Sequence, residues 1–181
     1  MKILILNGSP RKKGNTITAL HSLEQKLLSN HEIEFINLYD YKITPCYACY
    51  QCSKNNGRCI QKDDANVLLE KISETDLIIF GSPVYWWGIS AQLKLLVDKF
   101  ITRVEALQNN PKKIISISVG ASGLEDPQYR LIQKQLNCIT QYLKWDYIFS
   151  ANFSALNEGD IQKLSDFETK IQEVSEKIQS L

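Results

Sequence analysis

The sequence predicts an α/β fold, a parallel sheet of five strands with helices packed on both faces. Two observations carry this. Short apolar runs alternate with amphipathic helical patterns five times along the 181 residues, the order of a repeated βα unit. The apolar runs also lack the polar–apolar alternation of a strand with one wet face, so they read as strands buried on both sides. The length suits one domain, 1–181, with a well-buried core.

The elements follow in order. Lys2–Leu6 is a short buried strand, and Asn15–Leu28 a helix with Ile17, Leu20, Leu23 and Leu27 on one face. Ile33–Leu38 is the second strand. Tyr39 to Asp63 is a long connection, an insertion within the domain. Asp63 or Asp64 caps the next helix, whose face is Ala65, Leu68, Leu69 and Ile72. Leu77–Phe80 is the third strand. Ile89–Ile101 is helical, with Leu93, Leu96, Val97 and Phe100 in register. After Pro111, Lys113–Val119 is the fourth strand. Leu124–Leu143 is a helix using Ile132, Leu136, Ile139 and Leu143; Trp145–Phe153 is the fifth strand. Ile161–Ile178 closes the chain as a helix with Leu164, Phe167, Ile171, Val174 and Ile178.

Ligands of such sheets bind outside the carboxyl ends of the strands. Three loops meet that edge. Asn7–Thr16 follows the first strand and is not a Walker A loop: five residues separate Gly8 from Gly14, and Asn15 follows where a lysine belongs. Nor does it fit G-x-G-x-x-G. It offers Ser9, Asn15 and Thr16 as neutral donors with Arg11 to balance charge, at a helix start suited to an anion. The plainer reading is a βα turn whose Asn15 or Thr16 caps the helix. Gly81–Gly88 follows the third strand and carries Tyr85-Trp86-Trp87. The plainer reading is core or dimer packing, but three consecutive aromatics cannot all face one core, so at least one is exposed to a ligand or partner. Gly120-Ala121-Ser122-Gly123 is the third loop. A phosphate cradle beside an aromatic wall suits a nucleotide-like cofactor such as FMN.

Composition excludes some functions. With 21 basic and 20 acidic residues there is no general electrostatic case for nucleic acid or an anionic membrane. Ile3–Leu6 is too short for a signal segment and no apolar run reaches a membrane span, so the expected location is cytoplasmic. Four of the five cysteines cluster as Cys46, Cys49, Cys52 and Cys59, a C-x2-C-x2-C-x6-C spacing. Two successive C-x2-C steps resemble the ferredoxin run that holds a [4Fe–4S] cluster. Zinc, which favours separated knuckles, a disulfide, or free thiols shaping a loop are the competing readings. Cys138 falls within a helical pattern and reads as structural, His21 and His31 read as solvated, and Lys12-Lys13 reads as a solvated face or weak phosphate steering.

Asn7-Gly8-Ser9-Pro10-Arg11…Gly14-Asn15-Thr16 with Gly81-Ser82-Pro83-Val84-Tyr85-Trp86 resembles the NAD(P)H-dependent FMN reductase branch of the flavodoxin-like superfamily. Pro45-Cys46…Cys49…Cys52…Gly57…Cys59…Lys62-Asp63-Asp64 is similar to the iron–sulfur flavoproteins within it. The resemblance implies a sheet order of 2-1-3-4-5. It assigns Ser9, Arg11, Asn15 and Thr16 to the FMN phosphate, and Pro83, Val84, Tyr85, Trp86 and Trp87 to the isoalloxazine. Gly120, Ser122 and Gly123 approach the flavin, and Cys46, Cys49, Cys52 and Cys59 become ligands of a [4Fe–4S] cluster. The implied activity is electron transfer from NAD(P)H through FMN to a quinone, a flavin, a cluster or a protein acceptor. An electron carrier or redox sensor without NAD(P)H turnover is the other reading. A homodimer or dimer of dimers is expected, with Trp86, Trp87 and the cysteine connection at the contact.

Overall fold

Strand β1 (Lys2–Asn7) lies inside a five-stranded parallel sheet of order β2-β1-β3-β4-β5, in a computed structural model that describes all 181 residues. The other strands are β2 (Glu32–Asn37), β3 (Leu77–Pro83), β4 (Lys113–Gly120) and β5 (Asp146–Ser154). The parallel register runs Leu4↔Ile78↔Ile114 across the middle. Successive side chains point to opposite faces of a strand. An unbroken apolar run therefore fills two cores at once. Leu4, Leu6, Ile78 and Phe80 pack against α2 (Ala65–Ser73), α3 (Ala91–Asp98) and α5 (Pro127–Tyr142). Ile3, Ile5, Leu77 and Ile79 pack against α1 (Asn15–Leu27) and α6 (Phe167–Gln179). Each fully buried Leu or Ile contributes about 1.5–3 kcal/mol. This is the flavodoxin-like arrangement, with all five strand ends at one edge.

The differences from the sequence pattern have local causes. Leu38 leaves the second strand for a buried 3-10 turn, Leu38–Asp40. Strand β3 continues to Pro83. Val84 N donates to Val119 O, so the adjacent position faces the β1 side. Pairing with β1 has ended there at Gly81, and the missing N–H of Pro83 costs nothing. The helix expected over Ile89–Ile101 is α-helical only to Asp98. Ser90 Oγ caps it, accepting from Leu93 N at 3.3 Å. A 3-10 stretch, Lys99–Arg103, and an unforeseen short helix α4 (Val104–Gln108) follow. Trp145 does not begin β5. It turns inward, packs on Phe100 and donates to Leu107 O at 2.9 Å. Helix α5 starts at Pro127, with Asp126 accepting from Gln128 N at 2.9 Å. The last helix splits into a 3-10 turn, Asp160–Lys163, and α6. Cys138 is exposed on α5 rather than structural. His21 is solvated, but both ring nitrogens of His31 are buried without partners, and burial lowers its pKa.

Candidate functional site

The loop after β1 is wound by its own side chains. Asn7 Oδ1 accepts from Ser9 N at 3.0 Å, Ser9 Oγ accepts from Arg11 N at 3.3 Å, and Gly14 N donates to Arg11 O at 3.3 Å. Gly8 N donates to Gly81 O at 2.8 Å, locking the loop to β3. A Cβ on Gly8 would lie 2.6 Å from Ser90 Oγ and 3.1 Å from Gly81 O, so only glycine allows this approach. Neither Asn15 nor Thr16 caps α1; Gly14 holds that position without a side-chain bond. Asn15 instead donates to Ala155 O at 3.2 Å and Asn157 O at 2.8 Å, and accepts from Ile161 N at 3.4 Å. Its amide ties the loop after β5 to the phosphate-type loop. The first N–H groups of α1 have no intrahelical partner, and the Arg11 guanidinium has no carboxylate partner.

The loop after β3 is equally constrained. Buried Ser82 Oγ accepts from Ser90 N at 2.9 Å and donates to Pro83 O at 2.8 Å, closing the base of the loop. At its tip Tyr85 and Gly88 exchange backbone bonds of 3.0 and 3.1 Å. Trp86 and Trp87 are the two turn residues, with φ of 48° and 58°. That two-residue turn favours Asn-Gly, because both positions are left-handed. Two tryptophans there are strained, and Trp86 is 92% exposed. Strain of this kind concentrates where a side chain is needed for function.

A cleft of about 100 Å³ opens between these loops. Ser9, Arg11, Asn15, Thr16, Pro83, Val84, Tyr85 and Gly120 line it, joined by Gly14, Val119, Ala121, Ala155 and Leu156. Trp86, Trp87, Ser122 and Gly123 stand outside its lining. Ala155 and Leu156 come from the loop after β5, which sequence reasoning did not include. The position of β5 in a parallel sheet was the available signal, since its end shares the same edge. Tyr129 braces this side from within, donating toward Ser122 O and Phe153 O, each at 3.0 Å. Burial raises the Tyr129 pKa and keeps the phenol a donor. Gln128 Nε2 is buried with no partner and lies against Gly120, where a Cβ would approach it to 2.9 Å. An orphaned donor beside the cleft is an observation that fits a bound polar group. So does the neutral-donor loop with one unpaired guanidinium, which matches a phosphate ester.

The cysteine connection forms a second cavity. Cys46, Cys49, Cys52 and Cys59 line one space of about 70 Å³ with Ile60, Ile101 and other largely apolar neighbours. All five cysteines are unbridged. Ala48, Tyr50, Asn56 and Gly57 have φ between 49° and 73°, so the chain bends sharply between the thiols. No three His, Cys, Asp or Glu side chains come close enough to share one metal ion. Four thiols on one largely apolar cavity, with Gln61 and Thr102 also in its wall, match the all-thiolate donor set that an iron–sulfur cluster takes.

Beneath this cavity lies a residue that sequence reasoning missed. Lys99 is fully buried, donating to Asp63 Oδ2 at 3.0 Å, Cys59 Sγ at 3.4 Å and Gln61 Oε1. Burial pushes its pKa down, but Asp63 and Cys59 outweigh that and leave it raised. Asp63 also accepts from Thr44 N at 2.9 Å, Thr44 Oγ1 at 2.6 Å and Ala65 N at 3.1 Å. Burial pushes the Asp63 carboxyl up; the Thr44 and Lys99 bonds outweigh it and hold it below the usual range. Asp63 Oδ1 thus takes the first N–H of α2, while Asp64, at the N-cap position, makes no side-chain cap bond and accepts from Lys42 N at 2.7 Å instead. The signal for Lys99 was its place three residues after Leu96, continuing the apolar side of the helical pattern just past the end of α3.

No helix is long and apolar enough to cross a membrane. An iron–sulfur flavoprotein of Methanocaldococcus jannaschii is 40% identical over 126 residues, 67% of this chain and 63% of that protein. An iron–sulfur flavoprotein of Archaeoglobus fulgidus is 41% identical over 100 residues, 55% of this chain and 48% of that protein. The matched regions thus span 63% and 48% of these relatives' own length. The crystal structure of an azoreductase from Bacillus anthracis superposes with a TM-score of 0.76 over 100% of both chains at 14% identity, a likeness of fold. The profile of the NADPH-dependent FMN reductases matches residues 1–153. With the sheet order and the two motif loops already in place at one edge, that match means the chain belongs to the NADPH-dependent FMN reductase family.

Proposed function

We propose that this protein is an FMN-dependent oxidoreductase that takes electrons from NAD(P)H and passes them on by way of a [4Fe–4S] cluster. The observation that carries this reading is the pairing of two cavities: a phosphate-type loop facing an aromatic loop across one cleft, and four thiols around another. When bound, FMN supplies hydride acceptance and stepwise electron release, and the cluster supplies one-electron transfer. The chain supplies binding, orientation and electrostatics. Arg11, Ser9, Thr16 and the free amides of α1 hold the phosphate, while Asn15 holds the cleft's far wall in place. Pro83, Val84 and Tyr85 flank the ring, with Gly120, Ser122 and Gly123 on the opposite approach. Trp86 and Trp87 cover the mouth of the cleft, and Cys46, Cys49, Cys52 and Cys59 ligate the cluster. No side-chain acid or base lines the cleft, which suits hydride transfer. A second copy of the chain covering exposed Trp86 and the tyrosines of the cysteine connection makes a homodimer the working assembly, in a reducing, cytoplasmic setting.

The test is an absorption spectrum of protein purified without oxygen, with iron and sulfide analysis, then NADH and NADPH oxidation with a quinone acceptor. Flavin bands, cluster iron and sulfide, and turnover are expected. Cofactors without turnover would turn the reading to an electron carrier. Flavin without iron would leave a simple FMN reductase, and no flavin after addition of FMN would end the proposal.

A further inference from the structure

We propose that Lys99 is a positioning residue for the cysteine site: its buried ammonium, donating to Cys59 Sγ, raises the reduction potential of a cluster bound there. The inference rests on the cluster reading above. It starts from an oddity of packing. A buried ammonium is costly unless every proton finds an acceptor. Lys99 has three donors and three acceptors: Asp63 Oδ2 at 3.0 Å, Gln61 Oε1, and Cys59 Sγ at 3.4 Å.

Asp63 does not need this partner. Thr44 and Ala65 already give its two oxygens three bonds. The carboxylate instead anchors the lysine, together with Gln61, in reach of the sulfur. Cys59 is also the one cysteine of the four whose sulfur meets a cationic side chain. Its backbone N–H is fixed separately, by Asn66 Oδ1 at 2.9 Å, so the lysine is not required to shape the loop at that point.

The consequence is electrostatic. A cluster with four thiolate ligands is anionic, and reduction adds one more negative charge. A hydrogen bond to a ligand sulfur and a nearby buried cation both favour the reduced form. Asp63 offsets part of the charge, but the N–H···S bond belongs to Lys99 alone. The step concerned is uptake of one electron by the cluster, from dithionite in the assay, with no bond formed or broken.

Wild type, Lys99→Met and Lys99→Arg would be reconstituted anaerobically, assayed for iron and sulfide, and titrated by EPR for the cluster midpoint potential. Removing the cation in Lys99→Met should shift the one-electron equilibrium about tenfold toward the oxidised form, about 59 mV more negative. Lys99→Arg, which keeps the charge and a donor, should stay within about threefold of wild type. Should Lys99→Met fail to fold, Lys99→Gln takes its place and is expected to shift in the same direction. Full iron and sulfide with equal potentials in the neutral variants and wild type would overturn this inference alone. Lost thermal stability with an unmoved potential would do the same, leaving the lysine a packing residue. Absence of iron and sulfide in reconstituted wild type would overturn the cluster reading, and this inference with it.

Discussion

Asn15 offers the sharpest division between two roles. The motif resemblance gives its amide to the FMN phosphate; the structure commits that amide to the loop after β5. Asn15→Ala removes donors to Ala155 O at 3.2 Å and Asn157 O at 2.8 Å, and an acceptor for Ile161 N at 3.4 Å. A typical net contribution is about 1 kcal/mol per bond. Two good bonds and one weak one therefore predict a loss of about 2–3 kcal/mol, or about 5–10 °C in Tm for a chain of this size. The effect should appear in the protein without flavin, because the bonds lie within the polypeptide. FMN should bind more weakly because Ala155 and Leu156 line the cleft and lose their anchor. Riboflavin, which lacks the phosphate, should weaken by the same factor. Thermal unfolding without ligand, followed by fluorescence titration with both flavins, measures each quantity. Unchanged stability together with a selective loss of FMN over riboflavin would refute the reasoning and return the side chain to the phosphate.

Replacing Trp86-Trp87 with Asn-Gly should raise the stability of the flavin-free protein by about 1–2 kcal/mol, since left-handed backbone is costly for bulky residues. The same change should weaken FMN about tenfold by removing aromatic contact area; unchanged affinity would mean the tryptophans serve a partner surface instead. Tyr147 makes stability depend on alkaline pH. Burial, against the opposing bonds of Ser116 and Ser150, raises its pKa above the ordinary 10.0. Its contribution is thus complete below about pH 10 and declines as pH rises through the folded-state value. Tyr147→Phe should cost about 1 kcal/mol at pH 8 by breaking the 2.5 Å contact with Ser116, and should flatten the fall in urea midpoint between pH 9 and about 11. An equally steep fall in the variant would assign the slope to other groups.

What the sequence made legible is local and contiguous. Leu77–Phe80 announces a doubly buried strand by composition alone, and Ile78 and Phe80 occupy one core while Leu77 and Ile79 occupy the other. Gly8 shows what was not legible: its loop is tied to Gly81 of β3 by a 2.8 Å bond that nothing in either motif announces. Eight of the twelve residues expected around the cofactor line one cleft, because parallel strands bring their following loops to one edge whatever the loops contain. Less legible were helix boundaries such as Asp98, where the α-helix tightens into a 3-10 stretch, and α4, too short to show a period.

Asp63 shows where local reading stops. Next to an apolar helical pattern it reads as a cap, and its Oδ1 does accept from Ala65 N, two residues away. Its Oδ2 meets Thr44, 19 residues earlier, and Lys99, 36 residues later. Nothing in the neighbourhood of either residue announces the pair; Lys99 by pattern belongs to a helix face that should hold an apolar side chain. A methylene-rich cation at that position becomes intelligible only when Asp63, Gln61 and Cys59 are seen around its ammonium. A cap satisfies one oxygen of a carboxylate and leaves the other free to reach across the fold. Side chains with spare hydrogen-bonding capacity of this kind are where a chain read along its length is least informative, and in this protein they lie against the thiol of Cys59.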